Sequence, residues 1–124
     1  MRSVFLLTIA FAVCALATGA HAEQKFLDGA YGNKDGCAYA KSGESSGSDD
    51  FFLLTDEGVT TAVSYCAFTG AMAKTPKGFA GKVSCEEEGG NGGSEETVEL
   101  LSESGAYTVA FADGTLWGPI AKCR

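Results

Sequence analysis

The feature that most limits how this chain can fold is a set of four cysteines spread over its last 102 residues. They are separated by 29, 19 and 38 residues, without the close pairs that typical four-thiolate zinc sites show. An even number of widely spaced cysteines in a short exported chain is typical of two disulfide bonds. Spacing alone leaves all three pairings of four cysteines open. The four residues are Cys37, Cys66, Cys85 and Cys123.

The N-terminal residues predict the export on which this interpretation depends. Residues 1–22 begin with one basic side chain, continue through an apolar run and end in Ala20-His21-Ala22. A short basic start, an apolar middle and small residues before the cut are the features of a secretory signal peptide. We therefore predict cleavage after Ala22, one mature β domain of residues 23–124, and a periplasmic or secreted location.

Removing the signal peptide leaves a composition that excludes several functions. The mature chain has eight Lys and Arg against sixteen Asp and Glu, a net charge of −8, and Arg124 is its sole arginine. Phosphate binding needs clustered basic side chains, so nucleic-acid binding is disfavoured. After residue 22 no apolar stretch reaches the ~20 residues of a membrane span. The single histidine, His21, leaves with the signal, which removes imidazole-dependent catalysis and histidine-containing zinc sites.

Short alternating runs between glycine turns predict an all-β fold. Residues 59–66 and 107–111 alternate with a period of two, which is typical of strands. After residue 22 no stretch shows a helical period longer than a turn or two. The strongest local prediction is a hairpin with a two-residue Asp113-Gly114 loop. That loop would place Phe111 and Trp117 on opposite faces of the sheet.

An internal repeat divides the mature chain into two similar halves, about 26–68 and 79–124. Residues 51–58 match residues 98–105 at an offset of 47, with Leu-Leu, a hydroxyl residue, an acid and a glycine recurring in order. Each half is predicted to consist, in order, of a cysteine, a polar loop, a strand, a four-residue turn, a second strand and a second cysteine. The alternative is a chance similarity between two hairpins that use common turn chemistry.

The repeat also favours one disulfide pairing among the three. Pairing the cysteines within each half gives Cys37–Cys66 and Cys85–Cys123. The predicted fold is then a small antiparallel β-barrel or sandwich, built from two similar disulfide-closed meanders that share one core.

Two polar loops, residues 42–50 and 86–96, concentrate carboxylates that could hold calcium. The second loop lacks the alternating ligand spacing of an EF-hand, and its glycines supply no side-chain ligands. We interpret both as solvated loops and predict no metal, no cofactor and no catalytic residues. A carboxylate-based hydrolase is a distant alternative, because sixteen acids provide many accidental pairs.

Aromatic side chains provide the candidate binding residues. Phe51 and Phe52 are neighbours on a predicted strand, so one of them lies outside unless the sheet is covered on both sides. An exposed aromatic ring beside an acidic rim suits a protein-binding surface. The acidic chain favours a basic protein partner. The candidates are Phe51, Phe52, Tyr107 and Trp117.

The layout resembles small exported proteins of alphaproteobacteria that have two cysteine-closed halves. The likeness rests on the signal, on Gly29-Ala30-Tyr31-Gly32 before the first cysteine and on the near-terminal Lys122-Cys123. It implies no activity. Ser104-Gly105-Ala106-Tyr107 is also similar to the Ser-Gly-x-x-Tyr signature of periplasmic lysozyme inhibitors, although it is one residue shorter. The expected function is therefore a protein-binding or envelope-interaction module, with a periplasmic inhibitor of a lysozyme-like hydrolase as the alternative.

Overall fold

The computed structural model describes residues 24–87 and 94–124. The predicted signal peptide and its cleavage site lie outside these described residues. The described residues form one helix, α1 (Lys34–Ser42), and nine strands. The strands are β1 (Tyr31–Gly32), β2 (Phe52–Leu54), β3 (Gly58–Thr61), β4 (Ser64–Phe68), β5 (Ala73–Thr75), β6 (Gly78–Glu87), β7 (Ser94–Glu103), β8 (Ala106–Phe111) and β9 (Leu116–Ala121).

All nine strands join one antiparallel sheet that curls into a nearly closed barrel. The sheet order is β1-β2-β3-β4-β6-β7-β8-β9, and β5 pairs with the first residues of β6. The two ends of the sheet meet where Tyr31 forms a bridge with Lys122. Beside this bridge the Cys123 amide donates to the Ala30 carbonyl at 2.8 Å. The predicted antiparallel β-barrel is confirmed.

The barrel interior is filled by the inward-facing row of each strand. Since side chains alternate across a strand, every second residue of the long strands faces the core. Full burial of one Val or Leu side chain contributes about 1.5–3 kcal/mol to the free energy of unfolding, so this row accounts for much of the stability. The side chains that are at most 1% exposed are Leu54, Val59, Cys66, Val83, Val98, Leu100 and Val109.

Helix α1 covers the outer face of β2 and is a departure from the predicted all-β fold. The helix starts after Asn33, whose side-chain oxygen accepts from the Gly36 amide at 2.9 Å, and it ends at Gly43, with φ 74°. An Asn cap and a left-handed glycine are common helix start and stop signals. Nine residues give too few turns for a clear apolar stripe. Gly36 permits close docking, because a Cβ there would lie 1.8 Å from the Phe52 carbonyl oxygen.

The disulfide pairing predicted from the repeat, Cys37–Cys66 and Cys85–Cys123, is wrong. Cys37 is bonded to Cys123, and Cys66 is bonded to Cys85. Barrel closure brings both ends of the sheet together, so the outer two cysteines meet. The inner two lie directly opposite each other on the neighbouring strands β4 and β6. The bridges therefore connect the two halves and do not close either half by itself.

The two hairpins of the repeat are present, but their loops differ. The β2–β3 hairpin pairs Leu54 with Val59 across a four-residue loop, as predicted. The β7–β8 hairpin pairs Glu103 with Ala106 and leaves a two-residue loop, Ser104-Gly105. Both loop residues have positive φ, 52° and 79°, as a type I′ turn requires. The predicted four-residue turn is therefore wrong for the second half.

The alternating run at residues 59–66 is a tight hairpin and not one strand. β3 and β4 are joined through Ala62-Val63. The Thr61 hydroxyl oxygen accepts from the amides of Val63 and Ser64 at 3.3 and 3.0 Å, which reverses the chain. A period of two continues through such a short loop, so alternation alone could not reveal the turn.

The last hairpin has a register one residue away from the prediction. Its loop holds three residues, Ala112–Gly114, and Gly114 takes the left-handed position with φ 94°. Trp117 is therefore opposite Val109. The extra loop residue places Phe111 and Trp117 on the same inward face, with ring centroids 4.5 Å apart. The prediction of opposite faces is wrong.

Candidate functional site

One end of the barrel, here called the closed end, is covered by the segment that precedes β1. The ring of Phe26 packs edge-to-face on Phe68 and Phe79, with centroid distances of 5.4 and 5.0 Å. Such aromatic pairs add about 0.5–1.5 kcal/mol each beyond the burial of their surface. The segment therefore belongs to the core and fills this end of the barrel.

Hydrogen bonds hold the same segment in place. One carboxylate oxygen of Asp56 accepts from the amides of Phe26 and Leu27 at 2.9 and 2.8 Å. The side-chain amide of Gln24 donates to the Gly70 carbonyl at 2.9 Å and accepts from the Met72 amide at 2.8 Å. Each of these polar groups is thus satisfied by the chain itself.

A further polar contact lies where the segment meets the seam between the first and last strands. Asp28 accepts a hydrogen bond from the Tyr31 hydroxyl and forms an ion pair with Lys122 at 3.1 Å. The Tyr31 and Lys122 hydrogen bonds lower the pKa of Asp28 below its ordinary value of 3.8. Burial, together with the Asp28 hydrogen bond, raises the pKa of Tyr31 to about 12.

The opposite end of the barrel, which the described residues leave open, forms a cavity of about 410 Å³, here called the barrel mouth. Its apolar wall consists of Phe111, Trp117 and the Cys66–Cys85 disulfide. Among the described residues, three carboxylates also line it: Glu87, Glu96 and Asp113. The inward rows explain this composition, since Glu87 continues the row of Val83 and Cys85, and Glu96 continues the row of Leu100 and Val98.

The carboxylates of the mouth have different surroundings. Half-buried Glu96 lies with one oxygen 3.9 Å from the Cys85 sulfur, which has no proton to donate because it is in a disulfide. Asp113 accepts from the Thr115 amide at 2.8 Å, and that bond lowers the pKa of Asp113. A general acid in a hydrolase needs a raised pKa, so Asp113 is poorly suited to that role.

A second concave surface, here called the outer groove, lies between helix α1 with its following loop and the outer face of β2, β3 and β4. Its volume is about 890 Å³. Phe51, Leu53 and Thr60 are among the residues that form it. Leu53 pairs with Thr60 in the sheet, so both face outward, away from the core that holds Leu54 and Val59.

Two exposed aromatic side chains line the groove. Tyr39 of α1 is 39% exposed and stacks edge-to-face on Phe51 at 5.7 Å, and Tyr65 of β4 is 40% exposed. Partial burial and the negative charge of Glu57 raise the pKa of Tyr65. In the described part of the chain, the residues that line the groove include the acids Asp49 and Glu57 and no lysine or arginine.

The structure separates the four residues proposed from sequence. Phe51 is buried, because α1 covers the sheet on its outer side, so it is not an exposed anchor. Half-buried Tyr107 packs inside the barrel on Tyr31 at 4.9 Å. Phe52 faces inward and lies 6.2 Å from Trp117, ring centroid to ring centroid. Of the four, Phe52 and Trp117 therefore meet at the open end of the barrel.

Sequence reasoning missed the two exposed tyrosines as binding candidates. Tyr65 precedes Cys66 on a strand, so an inward disulfide at Cys66 places Tyr65 outside, and the alternation contained this signal. No comparable pattern marks Tyr39, because its exposure depends on helix α1, which was not predicted from the sequence.

The first polar loop is ordered by its own serines. Each of Ser42, Ser45, Ser46 and Ser48 accepts a hydrogen bond from the amide two residues later. Such local bonds are common in turns and explain the serine-rich composition. Among residues 24–87 and 94–124, no three acidic, histidine or cysteine side chains are grouped so that they could hold a metal ion. The second loop comprises residues 86–96, and its residues 88–93 lie outside the described ranges.

Two further findings bear on the setting of the protein. No helix in the described part of the chain is both long and apolar enough to cross a bilayer. The two disulfides fit an extracellular or periplasmic protein, because such bonds persist in oxidising compartments. Comparisons with protein-family models, with curated proteins and with solved structures found no match.

Proposed function

We propose that this protein is an exported binding module that engages a basic protein segment through the outer groove. The observation that carries the proposal is the groove itself, with an exposed tyrosine on α1, another on β4 and carboxylates in its lining. Export follows from the predicted signal peptide with cleavage after Ala22, and the same prediction gives a periplasmic or secreted location.

The shape and chemistry of the groove support recognition of a protein segment. Its volume of about 890 Å³ is large enough for several side chains. Tyrosines are favoured at interfaces, because each ring buries a large area at low conformational cost and keeps a hydroxyl for hydrogen bonding. Tyr39 rests on buried Phe51, which limits its motion before a partner binds.

Charge supports a basic partner. Asp49 lines the groove, the described residues that line it include no lysine or arginine, and the mature chain has a net charge of −8. Such a field increases the rate of association with a cationic surface and repels an anionic one. The interaction is expected to weaken as salt rises, since the Debye length is about 30 Å at 0.01 M and about 8 Å at 0.15 M.

The test is a binding measurement with defined partners. Lysozyme is the first probe, because it is basic and because the Ser-Gly-x-x-Tyr likeness makes it the alternative target. Proteins captured from envelope extracts by the disulfide-bonded protein are then purified, and each is titrated by calorimetry. We expect a basic partner that binds at micromolar concentration at low salt.

Matched variants locate the binding surface. Tyr65→Ala and Asp49→Asn should weaken binding at least fivefold. The control is Leu116→Ala, which removes a side chain that is 64% exposed and lies outside the groove, and this variant should bind the partner as the wild type does. Equal effects of all three variants, or a partner with an acidic binding surface, would overturn the proposal. Lysozyme inhibition that is insensitive to the groove variants would favour the inhibitor alternative at another surface.

A further inference from the structure

The open end of the barrel has the construction of a second, separate binding site. One end of the barrel is filled by Phe26 and Leu27, while the other keeps a cavity of about 410 Å³. This volume lies within the range of small-molecule sites, about 300–1,000 Å³. The main path of the sheet around the barrel has eight strands, and barrels of that size are wide enough to hold one small ligand in their interior.

The wall of the mouth offers two aromatic rings. Phe111 and Trp117 meet edge-to-face with centroids 4.5 Å apart, and Trp117 is half-buried. The three-residue loop at Ala112–Gly114 creates this arrangement, because it turns both rings inward. Trp is the aromatic side chain that binds organic cations most strongly through its ring face.

The charged side chains that line the mouth, as far as the described residues go, are all acidic. Glu96 stands on the inward-facing row of β7 in half-buried surroundings, and Glu87 lies on the inward-facing row of β6. Within residues 24–87 and 94–124 the ion pairs closer than 4 Å are Lys82–Glu95 and Lys122–Asp28. The inward carboxylates therefore have no cationic side chain of the described chain in contact.

We propose that the barrel mouth binds a small organic cation, an amine or quaternary ammonium group attached to an apolar body. The cationic head would lie against Glu96 and the Trp117 ring, and the apolar body would contact Phe111 and the Cys66–Cys85 disulfide. An anion is disfavoured by the carboxylates, and a neutral apolar molecule would leave half-buried Glu96 without a partner. The site is distinct from the outer groove, and the proposal does not depend on the proposed function.

The probe is benzyltrimethylammonium, and the reporter is Trp117, the single tryptophan of the chain. Titration of the purified disulfide-bonded protein should change the tryptophan fluorescence with saturation below 10 mM. Benzenesulfonate, of similar size and opposite charge, should give no saturable change. Absence of saturation with the cation, or equal affinity for the anion, would overturn the proposal.

Two variants of strand β7 distinguish binding at the barrel mouth from attraction of the cation by the net charge of the protein. Glu96→Gln should weaken the affinity for the cation at least tenfold. Glu99→Gln removes the same charge from the exposed, outward face of β7 and should change affinity less than twofold. Equal losses in both variants would show attraction by net charge only and would overturn the proposal.

Two measurements distinguish a loss of the binding site from a loss of the fold. The melting temperature and circular dichroism of Glu96→Gln should match the wild type, because both side chains have similar size. If this variant does not fold, Glu87→Gln at the exposed rim serves instead, with an expected weakening of about threefold. The groove variant Tyr65→Ala should bind the cation normally, and loss of binding in it would contradict a separate site.

Discussion

Both ends of the barrel contain aromatic and polar side chains, but at one end these side chains fill the interior and at the other they line a cavity. At the closed end, aromatic rings fill the interior, and the polar side chains of Gln24 and Asp56 bond to the backbone of the chain itself. At the open end, Phe111 and Trp117 line a cavity, and the carboxylate of Glu96 has no donor in the described chain.

The difference indicates which end stabilises the fold and which is available to a ligand. A polar group that is satisfied internally contributes to the free energy of unfolding, whereas one left without a partner in a cavity costs stability unless a ligand or water satisfies it. We therefore expect substitutions at the closed end to affect stability, and those at the open end to affect binding.

The largest expected effect on the free energy of unfolding comes from removing the disulfides, and the two disulfides should differ. Cys37–Cys123 closes the seam of the barrel over a sequence separation of 86, and Cys66–Cys85 lines the mouth with a separation of 19. In the chain-entropy model their loss costs about 4.6 and about 3.3 kcal/mol respectively. Urea unfolding of the two double Cys→Ala variants measures both values. A larger loss for the mouth disulfide would contradict the assignment of stability to the seam and the closed end.

The next effect compares an apolar side chain at each end. Phe26→Ala removes the ring that contacts Phe68 and Phe79 and should lower the free energy of unfolding by about 2–4 kcal/mol. Leu116→Ala, near the mouth and 64% exposed, should change it by less than about 0.5 kcal/mol. Thermal melts of both variants provide the measurement. Similar shifts would show that residue 26 is not part of the core.

A smaller effect compares two aspartates that accept backbone hydrogen bonds. Asp56 accepts two, from the segment that covers the closed end, and Asp113 accepts one from Thr115 within its own turn. Asp56→Ala should cost about 2 kcal/mol, because it frees a whole segment. Asp113→Ala should cost clearly less. Hydrogen exchange adds a local readout, since the amides of Phe26 and Leu27 should lose protection in Asp56→Ala alone.

The smallest effect depends on pH. The pKa of Asp28 is lowered in the folded state by hydrogen bonds from Tyr31 and Lys122, so its contribution to stability is present above its ordinary value of 3.8. That contribution is lost as pH falls through the lowered folded-state pKa. Wild type should be more stable than Asp28→Asn at pH 7, and the difference should shrink below pH 3.8 and vanish in stronger acid. A difference that stays constant down to pH 2 would contradict the role of the charge.

The sequence by itself determined the class of fold and the chemistry available to it. Alternation with a period of two, glycine turns and four cysteines predicted a disulfide-bonded antiparallel barrel or sandwich, because side-chain period and turn chemistry are local properties. The β2–β3 loop length was predicted from the same local signals. The acidic charge likewise led to the prediction of a basic partner.

The tertiary structure alone decided which residues meet. The pairing Cys37–Cys123 depends on closure of the sheet, which no local pattern encodes, so the repeat gave the wrong partners. One additional loop residue before Thr115 shifted a register and turned Trp117 toward Phe111. Helix α1 buried Phe51 and left Tyr39 exposed. Contacts of this kind depend on long-range packing and on single-residue register, and both are settled only when the whole barrel closes.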